Sequence, residues 1–165
     1  MEQAGHVLPG ASVVERVALG RDALLPYRRS HQLKQKPFME QCYYATHVVF
    51  VKTQWCQFPL DASDPEHAPE YAFLAEALVS LVKWKEPDIE IIGEVLQVLK
   101  CYGVSASTPG PTGEACAAAV SLLLQSQDEL SGTWNASVKE FGVRDHTTIC
   151  AIGGLLNHTY RDAYL

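Results

Sequence analysis

Gln127-Asp128-Glu129-Leu130-Ser131-Gly132-Thr133-Trp134 is the stretch whose reading decides the fold of this chain. An apolar helical run precedes it, with Ala115, Ala117, Ala118 and Ala119 small enough for close helix contact. Asp145-His146-Thr147-Thr148 opens another helix after it. A glutamine, a short polar gap and Gly-x-Trp make a particular joint between two helices. The Gln127 amide can tie down backbone at a helix end, and Gly132 permits the turn. Trp134 covers the hairpin with a large apolar ring. The joint predicts an all-α protein assembled from helical hairpins.

Helix signals recur outward from this joint. Ser12-Val13-Val14-Glu15 reads as a capping box for a first helix that ends before Pro26. Pro37 opens a second helix, roughly Phe38 to Gln57. Val48-Val49-Phe50-Val51 taken alone reads as a strand, but the apolar pattern on both sides favours helix. Leu60 to Pro69 is a loop. The segment Pro69 to Leu78 then aligns with Pro87 to Leu96, which suggests two copies of one helical unit, each opened by Pro and an acid. Gly103 reads as a C-cap, helix five runs from about Glu114 to Ser126, and helix six from an Asp145 N-cap to about His158. Gly153-Gly154 inside helix six costs up to about 1 kcal/mol per residue against alanine, so it marks close packing or a kink. The expectation is six helices in three antiparallel hairpins, half of an alpha/alpha toroid or an α-solenoid-like stack. Residues 1–165 form one domain, a whole protein or a fragment of a longer repeat protein, with 1–36 as a peripheral N-terminal helix and linker.

Composition bounds the function. The chain is 165 residues long, 47% hydrophobic and 19% charged, with a net charge of −6. These are globular values, and the negative balance argues against a nucleic-acid partner, which needs clustered Lys and Arg. No apolar run approaches the roughly 18 residues of a membrane span. The opening Met1-Glu2-Gln3-Ala4-Gly5 lacks the basic start and apolar core of a secretory leader. The five cysteines, Cys42, Cys56, Cys101, Cys116 and Cys150, are dispersed and form no Cys-x-x-Cys pair. A cytoplasmic protein with reduced thiols is expected, with no cofactor and no tightly bound zinc.

Ala119, Leu123, Gln127, Gly132 and Trp134 follow the spacing of the QW repeat of terpene cyclases, which this region resembles. His146-Thr147-Thr148-Ile149-Cys150-Ala151-Ile152-Gly153 is similar to the His-Thr helix near the C-terminus of protein prenyltransferase beta subunits. Both families are alpha/alpha barrels built of helical hairpins. The resemblance spans roughly Glu114 to Leu156 and implies architecture. It does not carry over the chemistry, because no Asp-x-Cys zinc pair precedes His146 and no Asp-rich protonating motif is present.

Several residues are candidates for a site. His47, in Tyr43-Tyr44-Ala45-Thr46-His47, precedes an apolar run and is suited to carry a proton or bind metal. His146 beside Asp145 sits at an expected helix N-terminus, whose dipole favours neutral imidazole. Glu76 and Glu94 fall at equivalent places in the two helix copies and could act as paired carboxylates. Cys150 stands one helical turn after His146, and Cys42 five residues before His47, so a Cys–His nucleophile is conceivable. His47, His146 and Glu94 are the catalytic candidates. Tyr43, Thr46, Phe50, Thr147 and Trp84 are the candidates to line a ligand pocket, with the histidines as polar heads on the apolar runs Val48 to Val51 and Ile149 to Ile152.

Two functions fit. The first is a helical-repeat binding module whose groove takes a hydrophobic small molecule or a partner helix, its open inner face also serving homo-oligomer formation. The second is a small enzyme of isoprenoid or peptide modification, with the histidines and Glu94 on the concave face. Convergence of these side chains favours the enzyme; dispersal favours the binding module.

Overall fold

The computed structural model describes residues 13–135 and 141–157. Among them are six α-helices and no strand: α1 (Val13–Leu24), α2 (Gln35–Lys52), α3 (Ala68–Leu81), α4 (Ile89–Cys101), α5 (Pro111–Gln125) and α6 (Phe141–Leu155), with a 3₁₀ turn at Ser30–Gln32. The expected cap at Ser12 and the expected helix end at His158 lie outside the described residues.

The valine-rich run that alone suggests a strand lies inside α2. The buried residues of that helix, Phe38, Gln41, Cys42, Ala45, Thr46, Val48, Val49 and Phe50, recur every three or four positions, and that period selects a helix. The helix ends at Lys52, short of the expected Gln57. Thr53 stops it, because its hydroxyl lies 2.7 Å from the Val49 carbonyl and accepts the Cys56 N–H at 2.9 Å. Gln54, Trp55 and Cys56 then all take positive φ, a conformation that costs roughly 1–2 kcal/mol per L-residue and is held by these bonds and by Trp55 N–H to Phe50 O.

The two apparent copies differ in register. Pro69 lies in the first turn of α3, whereas Pro87 precedes Asp88, the N-cap of α4, whose carboxylate accepts from Glu90 N and Ile91 N. Glu76 is accordingly exposed and pairs with Arg29, while Glu94 is buried. Helix α5 starts at Pro111, before the expected Glu114, since proline is preorganised for the first helical position. Helix α6 starts at Phe141, so Asp145 is an internal residue and not the N-cap. The dipole argument for His146 falls with it.

The glutamine–tryptophan joint closes α5 toward α6. Gln127 Nε2 donates to Gly132 O at 2.8 Å, Gly132 has φ 68°, and Trp134 is 2% exposed. The Trp134 ring N–H donates to the Leu123 carbonyl at 2.7 Å, a last-turn carbonyl of α5 that otherwise accepts only the Ser126 N–H at 3.3 Å.

Helix α4 is the centre of the molecule and packs against α2, α3, α5 and α6. Its approach to α6 is set by glycine. A Cβ on Gly93 would meet the Cys150 carbonyl oxygen at 2.5 Å, and one on Gly154 would meet the Gly93 carbonyl oxygen at 2.8 Å. Gly153-Gly154 therefore serves close packing, and α6 continues through it to Leu155. The side-chain pairings also fix direction. Tyr43 meets Glu90 and Thr46 meets Glu94; Glu90 meets Thr147, Glu94 meets Cys150, and Lys100 meets Gly154 and Leu156. Numbers rise together on all three helices, so α2, α4 and α6 run parallel, and α3 and α5 carry the chain back between them.

At the N-terminal side, Glu70 of α3 is fully buried and anchors α1. Arg21 Nε lies 2.6 Å from its Oε1, the Tyr27 hydroxyl donates to the same oxygen at 2.9 Å, and Lys52 Nζ stands 3.8 Å from Oε2. A fully buried carboxylate requires such partners.

Candidate functional site

Three parallel helices bring three short segments to one level: Tyr43-x-x-Thr46-His47 on α2, Glu90-x-x-x-Glu94 on α4 and His146-Thr147-x-x-Cys150 on α6. Glu90 and Glu94 are one helical turn apart, so their side chains share a face. Each meets both flanking helices.

Glu94 is 2% exposed. Its Oε2 accepts the Thr46 hydroxyl at 2.6 Å and lies 3.8 Å from His47 Nδ1. Its Oε1 is 3.7 Å from the Cys150 thiol. Burial raises this carboxyl above the usual glutamate range, and the Thr46 hydrogen bond and the nearby histidines pull it partly back. Glu90 accepts the Tyr43 hydroxyl at 3.1 Å on Oε1 and the Thr147 hydroxyl at 3.1 Å on Oε2. His146 Nδ1 stands 3.2 Å from Glu90 Oε1 and 3.7 Å from Cys150 Sγ. Asn135 donates to the Thr147 oxygen at 3.1 Å and ties the end of the Gln127–Trp134 joint to the same group.

Both imidazoles are half-exposed at their side chains, 54% each. His47 Nδ1 is 2.7 Å from the Tyr43 carbonyl, an acceptor, so Nδ1 carries the proton and Nε2 presents a lone pair. His146 Nδ1 lies at ion-pair distance, 3.2 Å, from the Glu90 carboxylate on the neighbouring helix. The centre thus offers two oriented imidazoles and a buried carboxyl that protonates more readily than an ordinary one, a constellation suited to proton transfer or to holding a cation.

The structure brings His47, Glu94 and His146 together, with the Tyr43 carbonyl on His47, the Thr46 hydroxyl on Glu94 and the Thr147 hydroxyl on the adjacent Glu90. Phe50 packs edge-on to the His47 ring at 5.8 Å and stacks on Trp55 at 5.0 Å. Trp84 is not brought in. Its ring packs edge-on to Phe38 at 6.0 Å and lines a neighbouring cleft with Ser30, Lys85 and Glu86. The apolar wall expected from Ile149 to Ile152 is also corrected, since Ile149 is 66% and Ile152 43% exposed. Cys42 is buried in the core. Cys150 is no nucleophile as it stands: burial, with Glu94 and Glu90 nearby, pushes its thiol well above the ordinary range. The sequence reading missed Glu90 as a site residue, although its spacing of four from Glu94 was a usable signal.

A cleft of about 370 Å³ opens beside this centre. Gln35, Met39, Asp88, Glu90, Asn135, Val143 and Thr147 are among its lining residues. No protein-family model matches the chain, and no curated protein or solved structure matches it. Among the described residues no helix is long and apolar enough to cross a membrane.

Proposed function

We propose that this protein is a small enzyme of proton-transfer chemistry, with His47, Glu94 and His146 as its working groups and Glu90 as the residue that orients His146. One observation carries the reading. Two histidines from different helices meet two glutamates one turn apart on the helix between them, His47 with Nδ1 2.7 Å from the Tyr43 carbonyl and 3.8 Å from Glu94, and His146 with Nδ1 3.2 Å from Glu90. Purely structural histidines need no such pairing across three elements. The substrate enters by the cleft beside Glu90. Its polar lining, Gln35, Asp88, Glu90 and Asn135, favours a peptide or another substrate rich in hydrogen-bond donors over an isoprenoid chain. The alpha/alpha-barrel likeness remains part of this proposal, since half-toroids present alternate helices on one concave face, and α2, α4 and α6 are alternate helices. The five thiols, all free and buried, suit work in the reducing cytoplasm.

The test is to incubate the protein with a small-molecule and peptide extract and follow depletion by mass spectrometry, with His146→Ala and Glu94→Gln in parallel. Compounds consumed by the wild type and spared by both variants support the enzyme. An extract left unchanged, or changed equally by all three proteins, overturns it.

A second reading, the binding module, is favoured by two features. Ile149 and Ile152 on α6, with Leu156 just past its end, form an exposed apolar stripe. A cleft of about 510 Å³ lined by Leu25, Pro26, Tyr27, Pro69 and Phe73 would suit a hydrophobic ligand. Sedimentation of the wild type against Ile149→Glu/Ile152→Glu decides the first: a dimer that dissociates in the variant supports a partner-helix or homo-oligomer surface, and a monomer in both refutes it.

A further inference from the structure

The geometry points to a divalent transition-metal site formed by Glu94, His146 and Cys150. Each offers one ligand atom, and the three atoms all lie within 4.8 Å of one another. Cys150 Sγ lies 3.7 Å from Glu94 Oε1 and 3.7 Å from His146 Nδ1. A tetrahedral ion with a sulfur at about 2.3 Å and a nitrogen or oxygen at about 2.0–2.1 Å separates those ligands by roughly 3.6 Å. The two sulfur edges already match that spacing, and the carboxylate and imidazole, within 4.8 Å of each other, close toward about 3.3 Å around the ion.

The chemistry of the donors selects the metal. One carboxylate oxygen, one imidazole nitrogen and one thiolate suit zinc, or cobalt in its place; magnesium and calcium prefer oxygen alone. Three protein ligands leave a fourth position for water or substrate, the pattern of a catalytic ion rather than a closed structural one. Ionised Glu94 and Cys150 neutralise the ion's two positive charges, and neutral His146 completes the set. Binding releases the Cys150 thiol proton to solvent, together with the Glu94 proton where that carboxyl holds one. His146 binds through Nδ1 with its proton on the other ring nitrogen. Glu90, 3.2 Å from that Nδ1, then stands beside the ion, and His47, its Nδ1 3.8 Å from Glu94 Oε2, stands behind the carboxylate ligand.

Local sequence spacing hides this site. The acid comes from α4 and the histidine and thiol from α6, so the set contains neither a Cys-x-x-Cys nor an Asp-x-Cys pair. What assembles it is the glycine seam, since Gly93 lies beside the Cys150 carbonyl itself. The expectation of no bound zinc rested on dispersed cysteines and a missing Asp-x-Cys pair; the set proposed here uses neither, because the close helix contact joins α4 to α6.

The inference deepens the enzyme reading and rests on it for a catalytic role, but the metal itself is tested without turnover. Cobalt(II) is titrated into the reduced, chelator-treated full chain. One equivalent is expected to produce a thiolate-to-cobalt charge-transfer band with the strong visible bands of a four-coordinate ion. Cys150→Ser is expected to lose the charge-transfer band, His146→Ala and Glu94→Gln to weaken binding at least 10-fold, and Cys116→Ser, a buried thiol on α5, to leave the spectrum unchanged. Because a variant could fail to fold, the wild type carries a second readout: zinc is expected to protect Cys150 from alkylation during mild unfolding, as read by peptide mapping. Absence of the band, its survival in Cys150→Ser, or unprotected Cys150 overturns the site. If cobalt does not bind while extract depletion still depends on Glu94 and His146, the metal is wrong and the enzyme stands. If cobalt binds at Cys150 and nothing is consumed, the site is real and the enzyme reading fails.

Discussion

Gly93→Ala tests the seam on which the candidate site depends. Alanine is the better helix former by roughly 1 kcal/mol, so at a neutral position this substitution stabilises. At Gly93 the new Cβ would lie 2.5 Å from the Cys150 carbonyl oxygen, 2.7 Å from its carbon and 3.0 Å from Ala151 N. An ordinary carbon–oxygen contact is about 3.3–3.6 Å, so the overlap approaches 1 Å, and every atom concerned is backbone. No rotamer change relieves it, and α4 and α6 must separate. Overpacking of this kind costs about 1–3 kcal/mol. Net of propensity, Gly93→Ala should lose about 0–2 kcal/mol, and Gly93→Val, which adds bulk and a poorer helix former, distinctly more. Gly142, in the first turn of α6, is the control, because nothing lies within 4 Å of an added Cβ there; Gly142→Ala should be neutral or stabilising. Urea unfolding followed by circular dichroism at constant m-value measures all three. If Gly93→Ala stabilises as much as Gly142→Ala, and Gly93→Val is tolerated, the close approach of α4 and α6 is wrong, and with it the convergence of Glu94 and Cys150.

Other expectations follow from single contacts. Trp134→Ala removes a buried ring and its bond to the Leu123 carbonyl and should cost about 3–5 kcal/mol; an unchanged melting temperature would sink the structural role of the joint. Glu70→Ala leaves Arg21 and Lys52 without their buried counter-ion and should cost about 3–5 kcal/mol, whereas exposed Glu76→Ala, which breaks only the surface pair with Arg29, should change stability by less than about 1 kcal/mol; equal losses in the two would refute the assignment of Glu70 as anchor. Cys42, Cys116 and Cys150 are buried and their thiols are raised by burial, that of Cys116 to about 11, so in the native protein at neutral pH they should react with a thiol reagent far more slowly than after denaturation. Prompt native reaction at any of the three, located by peptide mapping, would contradict the packing of its helix.

The all-α character was legible in the sequence because it rests on local physics. Apolar spacing of three and four along α2, the Asp88 cap, the Gly103 stop and the glutamine–tryptophan joint each act within one or two turns. The same locality explains the errors. The stop after Lys52 depends on a buried Thr53 and three positive-φ residues that carry no glycine signal. The likeness of Pro69–Leu78 to Pro87–Leu96 hid a register difference that leaves Glu76 in solvent and sends Glu94 inside.

The sequence by itself determined which residues could do chemistry: His47, His146 and Glu94, and the hydroxyls of Thr46 and Thr147 next to them. Only the tertiary structure decided that they meet, because convergence depends on the direction and separation of helices far apart in the chain. Parallel packing of α2, α4 and α6 sets the level, and a glycine-to-glycine seam sets the spacing. Those two facts turn Glu90 into the partner of His146, draw Cys150 to Glu94, and leave Trp84 on Phe38. Side-chain identity is written locally, but a site is a set of distances, and distances between helices are fixed only when their backbones pack.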